Sequence, residues 1–388
     1  MTRLRRVFSL VPCFALTSLA ACSTDEGGGD ELVDDGVNLE TAGDQDDTTA
    51  GLDAEAGAES GSDGDPSDST DPSGDGDGDG DESNTKFDLG AWSDGAGAGF
   101  CTAPVHQPCD DEDGDPWHAI GINCPGGYAL TTQYTGDATA IYVHTAPLGT
   151  YNPPTYPALE GEKIVIMSSG TAQQLTVGGA YASTALPGND PMILPAPMLT
   201  NAVGAQNCFE NPALVGTGDC SNTINDQWVQ GGGAFDYAEM RISGEVPQGA
   251  SGFSYNLAFF STEYPNFYQS TFNDMYIAWL QSDLWTGNVS FDEMGHPISL
   301  NAGFLDYKDA ENPYDCPAPC QAPELQGTAM ESHAGTKWLT TTAGVVPGED
   351  FLLIFAIFDL SDNILDSAVI LDNFLWNCEG GPPVTIPG

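Results

Sequence analysis

Basic residues are scarce in this 388-residue chain, which has eight lysines and arginines against 57 aspartates and glutamates. The formal net charge is −49. Nucleic acids and anionic lipid headgroups carry charge of the same sign, so the composition argues against both as partners. Cations are the partners that this composition favours.

Familiar catalytic motifs are also missing. The sequence has no Gly-x-Ser-x-Gly elbow and no His-Glu-x-x-His zinc motif. Its serine beside a histidine, Ser332-His333, has no identifiable catalytic partner. We therefore expect a protein that is not an enzyme. The alternative is an exported enzyme acting on polysaccharide through two carboxylates at a defined separation, which a sequence cannot reveal.

Apolar runs long enough to cross a membrane are absent, and the apolar segment near the N-terminus is short. Three arginines precede an apolar segment over residues 7–19. This pattern is typical of a secretory signal peptide, here residues 1–21, and is too short for a transmembrane helix. The segment ends in Leu-Ala-Ala-Cys, which resembles a bacterial lipobox. That resemblance implies lipidation of Cys22, whereas the alternative is an ordinary cleavable signal.

Ser23 follows the lipidated cysteine, where enteric-type sorting permits export to the outer membrane. We therefore expect an exported protein that is anchored by lipid to the cell envelope, at the outer membrane or cell surface. Each buried acyl methylene contributes roughly 0.8 kcal/mol, so several acyl chains would hold the protein stably.

Residues 22–85 form an acidic segment with almost no large apolar side chains. After Cys22 it contains 22 acidic residues and no basic residue. Such a chain cannot bury enough apolar surface to offset the entropy lost on ordering, so we expect a disordered linker. A flexible chain of this length spans about 45 Å. The linker is expected to tether a folded head, residues 86–388, to the membrane.

The cysteines follow the usage of an exported protein. Beyond Cys22 their number is even, which favours disulfides in an oxidising compartment. These candidates are Cys101, Cys109, Cys124, Cys208, Cys220, Cys316, Cys320 and Cys378. Their spacing suggests Cys208 with Cys220 and Cys316 with Cys320, and the others would tie the N-terminal segment of the head to its C-terminal end. Zinc is the alternative, but Cys-x-x-Cys pairs and clustered histidines are missing.

The head lacks sustained helical periodicity, while glycine (47) and proline (27) are frequent. Strand patterns occur at 163–170, 252–260, 275–281, 350–359 and 367–376. Phe253, Tyr255, Leu257 and Phe259 alternate along one of these strands. The segment 350–359 is apolar throughout, as expected for a strand covered on both faces. Short strands with Gly/Pro turns predict an all-β, jelly-roll-like β-sandwich.

Several segments, in their order, resemble the bacterial choice-of-anchor L domain. They are "IVIMSSGTA" (164–172), "GNDP" (188–191), "FDYAEMRISGEVPQGASGFSYNLAFFSTEYPNFYQSTFNDMYIAWL" (235–280), "HPISLN" (296–301) and "FAIFDLSDNILDSAVILDNF" (355–374). The resemblance runs from about Ala119 to Trp376. It implies a surface-exposed β domain and no particular enzymatic chemistry.

Acidic residues flank the predicted strands of this region. Glu263 and Asp274 enclose the connection "EYPNFYQSTFND", and "DLSDNILDS" places Asp359, Asp362 and Asp366 after a buried strand. Ca²⁺ takes six to eight oxygen ligands, many of them from carboxylates on loops. We expect one calcium site shared by Asp274, Asp359 and Asp366, with the other two acids as further candidate ligands. The alternative is turn chemistry, in which Asp and Asn bond their own backbone.

The aromatic residues of that connection have a simpler interpretation. Tyr264, Phe267 and Phe272 are expected to pin the loop between two strands to the core.

A second acidic segment, "CDDEDGDP" (109–116), resembles the start of an EF-hand loop. Asp111, Asp113 and Asp115 alternate, but Pro116 stands at the turn glycine and Ile122 at the final glutamate. A solvated acidic loop is therefore favoured over a weak calcium site.

Tryptophans could line a sugar-binding platform, and the candidates are Trp228, Trp279, Trp285, Trp338 and Trp376. Trp279 lies within a predicted strand and is expected in the core. Trp285 lies in the turn "SDLWTGN" and is the better ligand candidate. The favoured function is nevertheless a non-enzymatic lipoprotein that presents its head for adhesion to extracellular polysaccharide or surface protein. A carbohydrate-binding module or a glycoside hydrolase-like enzyme is the alternative.

Overall fold

The computed structural model describes residues 101–110, 113–179, 185–186, 189–309 and 321–388. The signal peptide, Cys22, the acidic linker, Asp111 and the pair Cys316 and Cys320 lie outside these residues. No helix in the described ranges is long and apolar enough to cross a bilayer.

The regular elements are mainly strands. They are β1 (Thr131–Thr135), β2 (Ile141–Thr145), β3 (Lys163–Ser168), β4 (Ala234–Glu245), β5 (Gly252–Ser261), β6 (Met275–Gln281), β7 (Thr286–Asn288), β8 (Ile298–Ser299), β9 (Tyr307–Lys308), β10 (Ala334–Gly335), β11 (Leu339–Gly344), β12 (Asp350–Leu360), β13 (Ser367–Asn377) and β14 (Val384–Pro387). Two one-turn helices, α1 (Pro116–Ala119) and α2 (Asn225–Trp228), and four 3₁₀ turns accompany them, at Ala138–Ala140, Ala172–Thr176, Pro212–Leu214 and Pro323–Leu325.

The strands form two antiparallel sheets. The first has the order β1-β4-β12-β6-β7, with β8 also paired to β6. The second has the order β14-β11-β5-β13-β3-β2, and β10 and β9 extend it beside β5. The predicted β-sandwich is confirmed.

The main core lies between the sheets because alternate residues of each strand point inward. From β5 the side chains of Phe253, Tyr255, Leu257 and Phe259 enter this core, as their spacing predicted. From the facing sheet β12 contributes Leu353, Phe355 and Ile357.

The central strands are apolar on their outer faces as well. Ile354, Ala356 and Phe358 of β12 pack outward against a layer that includes Leu194 and Met198. Loops thus cover the sheet on the side away from the main core. This coverage explains why the segment 350–359 is apolar on both faces of its strand.

Three disulfides are present in the described part of the chain. Cys208–Cys220 confirms the predicted pair, and Cys101–Cys378 ties the N-terminal segment to the C-terminal end as expected. The bond Cys109–Cys124 corrects the prediction, because it closes a local loop and does not reach the C-terminal end. Cysteines held in disulfides are not zinc ligands, so zinc binding is excluded for these six cysteines.

Two connections cross between the sheets at one end of the sandwich. Residues 262–274 lead from β5 to β6, and residues 361–366 lead from β12 to β13. The strand ends are in register, since Ser261 pairs with Ser367 in one sheet and Met275 with Phe358 in the other. This register brings the acidic residues of both connections to the same place.

Candidate functional site: a buried acid cluster

Four carboxylates meet at this end of the sandwich, and we call Glu263, Asp274, Asp359 and Asp366 the acid cluster. Three of them belong to the two crossing connections, and Asp359 is the penultimate residue of β12. Their exposed fractions are 2%, 1%, 0% and 0% respectively. Carboxylates are almost never buried so completely unless a partner neutralises them. The structure thus brings together the three residues that the sequence assigned to one site.

Asp274 links the two connections. Its Oδ1 accepts a hydrogen bond from the backbone N–H of Leu360 (3.3 Å), and its Oδ2 accepts one from the Ser367 hydroxyl (2.6 Å). Ser367 is itself fixed by Ser169, whose Oγ accepts from the Ser367 N–H (2.9 Å). The carboxylate of Asp274 is therefore held by residues from β12, β13 and the end of β3.

Asp359 has a different environment. The pairing of β12 with β4 is irregular between Ile357 and Asp359. Neither carboxylate oxygen of Asp359 accepts a hydrogen bond from any described residue. Ser169 lies close enough to oppose the rise in the pKa of Asp359, and Asp359 in turn opposes the rise in the pKa of Asp274, yet neither contact meets the geometry of a hydrogen bond. Its strongest charge interactions, with Asp274 and then Asp366, are repulsive.

Asp366 lies against a glycine. A Cβ atom placed on Gly170 would lie 1.6 Å from the Asp366 Oδ2. No side chain larger than that of glycine fits this contact without displacing the carboxylate. The main-chain carbonyl of Asp366 also accepts from the Thr262 hydroxyl (2.8 Å), which fastens one crossing connection to the other.

Glu263 begins the first connection at the side of the cluster. One of its oxygens accepts from the backbone N–H of Asp274, while Oε2 has no partner among the described residues. Its carbonyl accepts from the Phe267 N–H (2.9 Å), which starts the turn of the loop.

Burial shifts the protonation of the cluster strongly. Desolvation, followed by the charge of Asp274, raises the pKa of Glu263 to about 10. Desolvation likewise raises the pKa of Asp274 to about 8, although the Ser367 hydrogen bond opposes it. The pKa of Asp359 is raised well above its ordinary value by burial and by the neighbouring carboxylates. The ion pairs of the described chain include none of these residues.

Two of the three rings, Tyr264 and Phe267, pack on the core as the sequence predicted. Tyr264 is buried in the main core, and Phe267 packs against that core. Phe267 also contacts Phe272 edge to face, with centroids 5.3 Å apart. The loop is held by apolar contacts on one side, so its acidic ends stay in fixed positions.

Two polar residues that sequence reasoning missed complete the support of the loop. Asn301 accepts from the Gln269 N–H (2.6 Å) and donates to the Ser270 carbonyl (3.1 Å). Asn273 accepts from the Asn301 N–H (2.9 Å). Asn301 belongs to "HPISLN", one of the segments that resemble the family, so that resemblance was the available signal.

Turn chemistry accounts for two other groups of candidate ligands. Asp362 accepts from the Ile364 N–H (3.0 Å) within its own turn, and its charge contributes to raising the pKa of Glu263 in the cluster. Asp115 caps α1 by accepting from the Trp117 N–H (2.9 Å), and Asp113 accepts from the Asp115 N–H (3.0 Å). Asp113 and Asp115 therefore act as caps, whereas the sequence favoured a solvated acidic loop; Asp110 of the same segment is buried and accepts from the Glu162 and Lys163 N–H groups.

The prediction for Trp285 is wrong. Only 1% of this residue is exposed, and its ring packs 6.0 Å from Phe209, within the loop closed by Cys208–Cys220. The indole N–H donates to the Asn288 carbonyl (3.3 Å). A ring enclosed in this way cannot stack on a sugar. Trp279 lies in the core as expected.

His333 of the Ser332-His333 pair contacts the loop. Its Nδ1 lies 2.9 Å from the Tyr264 carbonyl, and burial lowers its pKa. The imidazole thus supports the first connection through the main chain.

The arrangement has clear chemical limits. Its carboxylates are closed to any substrate, so they have no direct route to catalysis. Within the ranges that the structure describes, no three His, Cys, Asp or Glu side chains are placed to hold a metal ion together. What the cluster requires is neutralisation, by protons or by a cation held with additional oxygen ligands.

Comparison with known protein families finds a match over the part of the chain that contains this cluster. Residues 201–374 match the family model of the choice-of-anchor L domain. The chain carries a choice-of-anchor L domain. No curated protein and no solved structure proved similar to the chain.

The whole acid cluster falls inside the choice-of-anchor L match, and so does Asn301. The resembling segments at 164–172 and 188–191 precede the matched residues. Together with the three disulfides, the choice-of-anchor L domain indicates an exported protein of the cell surface.

Proposed function

We propose that this protein is a non-enzymatic surface lipoprotein that presents its β-sandwich for adhesion to extracellular polysaccharide or surface protein. The observation that carries the proposal is the choice-of-anchor L domain at residues 201–374, in a chain that begins with a lipobox-like signal ending at Cys22. A lipid on Cys22 and the acidic linker after it would hold the sandwich away from the membrane surface.

Burial of the acid cluster supports a binding role over a catalytic one. A glycoside hydrolase needs two carboxylates that reach opposite sides of a sugar bond. The most strongly shifted carboxylates of this chain are instead enclosed where two loops cross. They lie inside this end of the sandwich, and its outer surface remains available for contacts with a partner.

The anchor is tested by Cys22→Ser, with Cys13→Ser in the signal segment as the matched control. We expect the Cys22 variant to lose incorporation of a labelled fatty acid and to leave the membrane fraction, while the control behaves as the wild type. Retention of Cys22→Ser in the membrane fraction would contradict lipid anchoring.

Adhesion is tested on intact cells. Cells with the wild-type protein should be retained on their own isolated extracellular polysaccharide or on immobilised cell-surface protein. Cells with Cys22→Ser should be retained less, because the head is no longer attached to them. Equal retention of both cell types would refute adhesion, and shortening of the polysaccharide by the purified protein would favour the enzyme.

A further inference from the structure

The acid cluster contains a carboxylate with no partner. Asp359 is completely buried, and neither of its oxygens accepts a hydrogen bond from the described residues. Folded proteins nearly always pair a buried charge with donors, an opposite charge or a metal. The neighbouring carboxylate of Asp274, in contrast, accepts a hydrogen bond on each of its oxygens. Asp359 is therefore the group for which the fold leaves a ligand to be supplied.

Three neighbouring carboxylates act on Asp359, and the neutral Ser169 opposes them. Asp274 precedes β6, Asp366 precedes β13, and Asp236 lies on β4, and all three repel its charge. Glu263 adds a further carboxylate beside Asp274. In the described ranges no basic side chain forms an ion pair with Asp359, Asp274, Asp236 or Glu263. A small cation would gain favourable interactions with the whole group.

We propose that Asp359 and Asp274 bind one Ca²⁺ at this end of the sandwich, with main-chain carbonyl and water oxygens as the other ligands. Ca²⁺ accepts such mixed oxygen sets in flexible geometry. Zn²⁺ prefers nitrogen and sulfur ligands, and Mg²⁺ demands a regular octahedron and gives up its water reluctantly. The ligand chemistry of the cluster thus selects calcium.

The small number of carboxylate ligands sets the expected affinity. In the described chain no three acidic, histidine or cysteine side chains stand ready to share a metal, so two carboxylates carry the binding. Affinity for Ca²⁺ falls as the number of charged ligands falls, and extracellular sites have a Kd on the order of 10⁻⁴ to 10⁻³ M. An exported protein meets calcium at such concentrations.

The test compares melting temperatures of the full-length protein, purified in a nonionic detergent at neutral pH, in EGTA and with added CaCl₂. Tryptophan fluorescence reports the melting of the sandwich. Calcium bound loosely to the acidic linker would not change this signal. A concentration of about 100 Kd should raise the Tm by roughly 5 °C or more. MgCl₂ at the same concentration should raise it less.

Asp359→Asn distinguishes a ligand from a merely structural residue. Asparagine keeps the shape but needs neither a proton nor a cation to be neutral, so the variant should melt at a higher temperature than the wild type in EGTA. It should also lose the increase that CaCl₂ produces. Asp350→Asn is the matched control, since Asp350 is exposed at the other end of the same strand. The control should keep the full calcium response.

Two results would overturn the proposal. One is a wild-type Tm that CaCl₂ leaves unchanged, which would mean that protons alone neutralise the cluster. The other is a calcium response in Asp359→Asn as large as in the wild type. Should Asp359→Asn fail to fold, Asp274→Asn gives the same comparison. The lipid plays no part, so Cys22→Ser should keep the calcium response even if the anchoring proposal fails.

Discussion

Without a bound cation, the stability of the head should fall steeply as the pH rises. Glu263, Asp274 and Asp359 have pKa values raised by burial in the folded protein. In the unfolded chain such groups ionise near pH 4. Between these limits the folded state holds protons that the unfolded state has released. Stability is therefore present in acid and is lost with rising pH, until the folded-state pKa is reached.

The magnitude follows from the number of protons. One proton retained only in the folded state changes the free energy of unfolding by about 1.4 kcal/mol per pH unit. Asp274 alone, with a pKa of about 8, covers the whole interval from about pH 5 to about pH 7. If all three acids keep their protons, the loss reaches about 4 kcal/mol per unit. Domains have only ~5–15 kcal/mol of stability in total, so the effect should be conspicuous.

The assay is urea unfolding followed by tryptophan fluorescence in EDTA, at about pH 5, 6 and 7. Asp274→Asn serves as the comparison, because other groups and the general negative charge affect both proteins alike. His333 acts in the opposite direction, since burial lowers its pKa, and it too is common to both. The slope of Asp274→Asn should be shallower by about 1.4 kcal/mol per pH unit. Equal slopes would refute the assignment of a retained proton to the cluster.

Three further predictions concern packing. Gly170→Ala should lower the free energy of unfolding by about 1–3 kcal/mol or more, because its Cβ would overlap a buried carboxylate; Gly114→Ala, with open space around its Cβ, should be nearly neutral in the same urea titration. Replacing Cys101 and Cys378 together by serine should cost roughly 2–5 kcal/mol, and an unchanged urea midpoint would contradict the structural role of this disulfide. Trp285→Ala should cost about 3–5 kcal/mol, measured by thermal melting, and binding of extracellular polysaccharide should be unchanged if the variant folds.

The longer strands could be predicted largely from pattern. The predicted segments 252–260, 275–281 and 350–359 agree with β5, β6 and β12 to within one residue. The longest strand, β4, was not predicted as a strand. Its outward residues include Glu239 and Arg241, which form an ion pair at 3.1 Å and so place charges within a strand that is otherwise mostly buried. A pattern of apolar residues does not reveal polar groups that neutralise each other.

The candidate site was predictable in part. Acids that follow or precede buried strands were sufficient to select Asp274, Asp359 and Asp366. The residues that hold them, such as Ser169 and Gly170, come from a distant strand, and only the register of the sheets brings them into contact.

The prediction that Trp285 binds a ligand was wrong for a similar reason. Its turn is real, because the Ser282 hydroxyl accepts from the Trp285 N–H (3.0 Å), but the loop that covers the ring lies about 70 residues earlier in the chain.

If the proposed lipid anchor holds the head from its N-terminal side, the Cys101–Cys378 disulfide has a mechanical consequence. A pull that arrives through the N-terminal side enters at Cys101 and passes through a covalent bond to Cys378, directly after β13. That strand pairs with β5 and β3 in the interior of its sheet. The N-terminal segment therefore cannot be peeled from the domain starting at its end. The load passes instead to the end of a strand in the interior of the second sheet, and the segment after Cys101 stays covalently attached to the domain as long as the disulfide is intact.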